Sequence, residues 1–156
     1  MVGREPRERI EMTLHLIKLC VGAASIEDLG RWQSENRAFR VKGAGMRVFH
    51  TTLQRPKREA ELLDGGSLYW VIKGIVQCRQ RLAGFDEGHK DDGSPCCRIL
   101  LAPEIVAVRP QPRKAFQGWR YLPASEAPAD LKSGGSADLA AMPAALRREL
   151  AALGLL

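Results

Sequence analysis

Ser67-Leu-Tyr-Trp-Val-Ile-Lys-Gly-Ile-Val-Gln-Cys-Arg-Gln-Arg-Leu82 is the stretch that decides how this chain is read. Its even positions, Leu68, Trp70, Ile72, Gly74, Val76, Cys78, Gln80 and Leu82, are apolar or small almost throughout. Its odd positions are Tyr69, Val71, Lys73, Ile75, Gln77, Arg79 and Arg81. Successive side chains of a strand point to opposite faces, so the alternation predicts one long strand with a buried even face. The odd face then offers an aromatic ring, a lysine, an amide and two arginines. Such a surface suits a phosphate-bearing ligand, and an ordinary half-exposed strand shows it too. A bulge at Gly74 would reverse the facing of everything after it and separate Lys73 from the Arg79/Arg81 pair.

Working outward, residues 13–21 are rich in β-formers and predict a first strand that Gly22 ends. Ser25 followed by Glu27 and Asp28 has the form of a helix N-cap, and Ile26, Leu29 and Trp32 recur at helical spacing to about Glu35. A basic connector (Arg37, Arg40, Lys42) leads to a second strand over Met46–Thr52. Pro56 suits the first turn of a second helix running to Leu63, and Asp64-Gly65-Gly66 is a strong stop. Residues 84–97 read as an acidic, glycine-containing loop expected to be mobile. Strands are predicted again at Arg98–Leu101 and Ile105–Arg109, with Pro110 and Pro112 breaking the second or confining it to a sheet edge. After Leu122 the composition shifts to Ala, Pro, Ser and Gly. A Ser133-Gly-Gly-Ser136 link then precedes a helix with Leu139, Met142, Leu146, Leu150 and Leu153 on one stripe. That helix packs back on the domain or docks on a partner. The pattern is that of an α+β domain: a small mixed or barrel-like sheet of four or five strands, two short helices and a C-terminal helix. Residues 1–11 form an N-terminal extension, 12–131 the single domain, and 132–156 a linker with an amphipathic helix.

At 156 residues the chain is long enough to bury one core. The 45% hydrophobic and 27% charged fractions are those of a globular protein, and no apolar run approaches the roughly 18 residues that span a bilayer. A cytoplasmic location without membrane attachment is the expectation. Cys20, Cys78, Cys96 and Cys97 form no Cys-x-x-Cys pair, and His15, His50 and His89 are not at zinc-finger spacing. Buried thiols are expected, and neither a metal nor a cofactor is called for. The net charge of +6 is segregated. Residues 31–58 hold eight Lys and Arg against Glu35 alone, whereas residues 59–66 and 86–94 are acidic. Segregation of this kind favours an anionic partner over an evenly solvated surface.

Two clusters carry candidate chemistry. His50-Thr-Thr-Leu-Gln-Arg-Pro-Lys-Arg58 places Arg55, Lys57 and Arg58 at a predicted helix start, where unpaired N–H groups welcome a phosphate. A solvated basic turn has the same sequence. His50 is also a candidate general base, with Asp64 or Glu59 to orient it. The second cluster interleaves Arg113, Lys114 and Arg120 with Phe116, Trp119 and Tyr121. Cations beside aromatic faces suit splayed-out bases, while Trp119 also reads as a core anchor under a proline-stiffened loop.

His15–Gly22, Lys57–Gly74 and Phe116–Leu122 resemble domain of unknown function 1489, a family of small, mainly alphaproteobacterial proteins; the resemblance spans about residues 12–131 and brings no activity with it. The element order is also similar to that of the EVE domain: a first strand and turn, Ser25-Ile-Glu-Asp-Leu29, a strand near Met46–Thr51, and a long strand after a glycine turn. EVE and ASCH domains are PUA-like, small β-barrels flanked by helices that bind RNA or modified bases. Gly45-Met46-Arg47 stands where the EVE pattern has a glycine-aspartate step, so no pocket residues carry over.

The resulting expectation is a non-catalytic RNA-binding module with a PUA-like barrel, since no recognition-helix pattern for a DNA major groove is present. Lys73, Gln77, Arg79 and Arg81 would line a strand face, and Arg55, Lys57 and Arg58 the helix start. Arg113, Lys114 and Arg120 would close the site, with Tyr69 or Tyr121 stacking. Two other readings stay open: an enzyme acting on a nucleotide or phosphorylated metabolite through His50, and a protein–protein interaction module.

Overall fold

The computed structural model describes residues 13–131. The N-terminal extension and the linker with its C-terminal helix, residues 132–156, lie outside the described residues. Within them the order is β1 (Leu14–Leu19), α1 (Ile26–Asn36), β2 (Ala38–Val41), β3 (Gly45–Thr52), α2 (Glu59–Leu63), β4 (Ser67–Ile72), β5 (Ile75–His89), β6 (Pro95–Leu101), β7 (Val106–Pro112) and β8 (Trp119–Pro123). A single 3-10 turn, Ala124–Glu126, follows. The strands make one open mixed sheet in the order β2-β3-β6-β5-β4-β1-β8, with β7 also paired to β5. Only β1–β4 is parallel among the strand pairs of the described residues. This confirms the expected α+β class with more strands than the four or five expected.

The opening stretch is a hairpin and not one long strand. Lys73 (φ 52°) and Gly74 (φ 78°) both take positive φ, the backbone of a tight turn whose twist matches the strands it joins. The bulge lies past Gly74: Val71 faces Val76 while Trp70 faces Cys78, so Gln77 is the extra residue. The even face therefore breaks there. Leu68, Trp70, Ile72, Cys78 and Leu82 join the main core, whereas Val76 turns to the other side with Tyr69 and Val71.

Further segments differ from expectation. Residues 84–97 are mostly strand: β5 and β6 pair from Leu82↔Leu101 to His89↔Pro95, closed by a short turn in which the Lys90 N–H donates to the Ser94 carbonyl. The basic connector holds β2, paired antiparallel with β3. The second helix begins at Glu59 with Arg58 as its N-cap, so Pro56 precedes it and does not sit in its first turn, and residues 119–123, for which no strand is predicted, form β8. Ser25 caps α1 by accepting from the Asp28 N–H, and proline-bearing β7 has β5 as its only ladder partner.

Fully buried Leu16, Leu29, Leu62, Leu68, Trp70, Ile72, Ile99 and Leu101 fill the core between the sheet and the helices. A smaller cluster, Ile17, Tyr69, Val71, Val76, Val108 and Leu122, covers the reverse face of β4 and β1. Every residue of β4 is consequently buried. This strand is the rigid centre against which the site is built.

Candidate functional site

Gln80, on β5, is fully buried and sits at the centre of a polar network inside the core. Its Oε1 accepts from the Trp70 indole N–H (2.8 Å) and from Gln33 Nε2 (2.7 Å). Its Nε2 donates to Gln33 Oε1 (2.8 Å) and to the Ala102 carbonyl (3.2 Å). An indole N–H only donates and a carbonyl only accepts, so these two groups fix which way the Gln80 amide points. Gln80 in turn fixes Gln33, whose remaining N–H is left to donate to His50 Nε2 at 2.9 Å. The ring nitrogen that accepts carries no hydrogen, so the proton of His50 is on Nδ1. That Nδ1–H has no protein partner among the described residues, and no fully buried polar side-chain atom is left unpaired. The His50 ring lines an open space.

This space is a cavity of about 280 Å³ bounded by Lys18, Leu19–Ala23, Trp32, Arg37, His50, Thr51 and Trp70. Three rings form its wall. His50 lies 4.4 Å from the Trp70 ring and 5.2 Å from Trp32. Trp32 is 39% exposed although it sits on a helix otherwise anchored by buried Leu29 and Gln33, because its ring belongs to the cavity mouth. The Arg37 guanidinium stands 4.8 Å over Trp32 and 5.4 Å from the Phe49 ring. Lys18 alternates with Leu14 and Leu16 and so enters the cavity from the core side of β1.

Burial, reinforced by Lys18 and Arg37, pushes the His50 ring down to about 3. The imidazole is neutral at physiological pH. Burial also lowers Lys18 from the ordinary lysine range and raises the Cys20 thiol to about 11. His50 thus meets Gln33 and not the carboxylates expected to orient it as a base. Glu59 is held by Arg55, and Asp64 caps α2.

The residues singled out from the sequence fall in separate places. Arg55, Lys57, Arg58 and Tyr121 come together: the Tyr121 hydroxyl accepts from the backbone N–H of Lys57 (3.1 Å) and Arg58 (3.2 Å), and Arg58 stands over its ring. The charges of Arg55 and Arg58 are paired with Glu59 and Glu61. This group continues towards the cavity, since Trp119 packs against Tyr121, bonds the Gln54 carbonyl and lies opposite Lys18 in the β1–β8 ladder. Tyr69, Arg79 and Arg81 share the reverse face with His15, around a second hollow of about 400 Å³. There Arg79 binds Asp130 through two hydrogen bonds of 2.7 Å. Gln77 is buried and donates to the Ile72 carbonyl. Lys73 lies at the β4–β5 turn, which the Arg113 N–H joins through the Gly74 carbonyl; Arg113 and Arg120 flank Phe116, and Lys114 is exposed.

Sequence reasoning missed Lys18, Trp32, Arg37 and Trp70 as cavity residues, and the outer face of β2–β3–β6. On that face Phe39 lies opposite Arg47, Phe49 stacks with Phe39, and Arg98 stands 5.2 Å over Phe49. The available signal was the basic run 31–58 with Phe39 and Phe49 interleaved. Among the described residues no group of three His, Cys, Asp or Glu is placed to hold a metal, and no helix is long and apolar enough to cross a membrane.

Fold and site together define a small α+β domain with an open, mixed eight-stranded sheet and, among the described residues, an aromatic cavity beside Lys18 and Arg37. The chain belongs to the family described as "Protein of unknown function (DUF1489)", whose model matches residues 16–156. No curated protein and no solved structure matches the chain.

Proposed function

We propose that this protein is a non-catalytic RNA-binding module that takes one unpaired base into the Trp32–His50–Trp70 cavity. The observation that carries this reading is a neutral, rigidly held imidazole between two indoles, beside two cations. Aromatic faces stack bases irrespective of sequence, and Lys18 and Arg37 beside them would meet the flanking phosphates. At about 280 Å³ the cavity lies just under the roughly 300–1,000 Å³ of drug-sized sites, a fit for a single ring system. The strand would continue over Phe49, Arg47 and Arg98 on one side and towards Lys57 and Tyr121 on the other. The location this reading implies is cytoplasmic.

A catalytic role for His50 lacks support, because its ring faces an amide and no carboxylate polarises it. Anisotropy of labelled single-stranded RNA over a salt series tests the proposal. Binding should weaken log-linearly with salt, and Lys18→Glu with Arg37→Glu should reduce both affinity and salt slope. Loss on Arg79→Glu with Arg81→Glu instead would move the site to the reverse face, and no binding at low salt would refute the reading.

A further inference from the structure

We infer that the ring held in the cavity is a keto base, uracil or guanine, and that Gln33 and Gln80 are the positioning residues that set this choice by fixing His50 as a donor. The inference rests on the base-binding reading above and names its ligand class. Its basis is the one-way logic of the hydrogen-bond chain from Trp70 and Ala102 through Gln80 and Gln33 to His50 Nε2. Because the chain ends by donating to Nε2, the ring can present only Nδ1–H to a ligand. The other polar side chains that line the cavity are Lys18, Arg37, the Trp32 indole, the Cys20 thiol and Thr51, whose hydroxyl both donates and accepts. Lysine and arginine are donors without acceptor capacity, and no Asp, Glu, Asn or Gln side chain lines the wall.

Uracil O4 and guanine O6 accept hydrogen bonds at the position where cytosine and adenine carry an amine. A keto oxygen would satisfy His50 Nδ1–H. An exocyclic amine there would confront a donor with a donor and leave both desolvated and unpaired. Sites built to hydrogen-bond one group reject the analogue that cannot reciprocate. The network is buried around fully enclosed Gln80, so the preference is rigid and does not adapt by amide rotation.

The test compares labelled oligouridylate with oligocytidylate of equal length, two pyrimidine strands with the same backbone. The wild-type protein should bind the uridylate about tenfold more tightly, the worth of one good hydrogen bond against a mismatch. Gln33→Met should bring that ratio near one. A long-range proton–nitrogen spectrum of the wild-type protein at neutral pH reads the tautomer independently of any variant: a proton on His50 Nδ1 is expected, and a proton on Nε2 would overturn the inference. Equal or cytidylate-favoured binding that is lost on Trp32→Ala would also overturn it, while leaving the base cavity standing. Absence of binding to either strand would remove both claims.

Discussion

Replacing Gln80 by leucine should unfold this protein more readily than its near-isosteric shape suggests. The side chain is fully buried, and its four hydrogen bonds leave four stranded groups when it goes: the Trp70 N–H, the Ala102 carbonyl, and one donor and one acceptor on Gln33. A buried polar group without a partner costs about 1–3 kcal/mol. Four such groups cost about 4–12 kcal/mol and burying the leucine returns about 1.5–3 kcal/mol, so the net loss should be roughly 1–10 kcal/mol. The middle of that range is a large part of the roughly 5–15 kcal/mol typical of a domain. Gln77→Leu is the internal control, because Gln77 is buried too but its side chain donates one bond, to the Ile72 carbonyl. By the same arithmetic it should cost at most about 1.5 kcal/mol. Urea titration followed by tryptophan fluorescence and circular dichroism measures both, with a shifted midpoint at unchanged slope. If Gln80→Leu lies within about 1 kcal/mol of wild type, or no lower than Gln77→Leu, the network does not hold the site rigid and the reasoning fails.

Three further outcomes are expected. His50 and His15 are held down to about 3 and about 4, in both cases mainly by burial. The unfolded chain, with histidines near 6.5, therefore takes up protons first. Stability should be complete above about pH 7 and fall as pH drops from about 6.5 towards 4, by at most about 1.4 kcal/mol per pH unit for His50 and less for the more exposed His15. A flat urea midpoint between pH 7 and 5 would contradict this. Lys73→Asn should raise stability by about 0.5 kcal/mol, since asparagine tolerates the left-handed backbone that lysine occupies at φ 52°; a loss on thermal denaturation would refute the turn assignment. Burial pushes Cys20 up to about 11 and Cys78 up to about 12, so both should alkylate slowly in the native protein near neutral pH and rapidly in urea, as mass spectrometry would show.

The strands were legible where one face is core. Cys78, Gln80 and Leu82 alternate with less buried Arg79, Arg81 and Ala83 as a half-buried strand requires. The β4–β5 turn was hidden because lysine is an unusual occupant of a positive-φ position and every residue of β4 is buried, which erases alternation. The far half of β5 was taken for a loop because Asp86, Glu87 and His89 face solvent and only Phe85 and Gly88 are buried. Gly88 leaves room for the Arg98 side chain, which a Cβ there would meet at 2.6 Å. The cavity was the least legible part. Gln33 and Gln80 are 47 positions apart, and nothing in either local pattern marks a buried amide as half of a pair. His50 stood out in the sequence as a titratable group, but burial and the amide chain decide its chemistry. Arg37, read as part of a connector, becomes a rim cation because α1 ends over Phe49.

The central claim is that a base enters between Trp32, His50 and Trp70. A titration of the nitrogen-15-labelled protein with oligouridylate, followed on the indole, imidazole and amide resonances, tests it most directly. Trp32, Trp70 and His50 should shift together and saturably, while the amides of Tyr69, Arg79 and Arg81 on the reverse face move little. Unmoved Trp32 and His50 signals with shifts confined to Tyr69, Arg79 and Arg81 would contradict it.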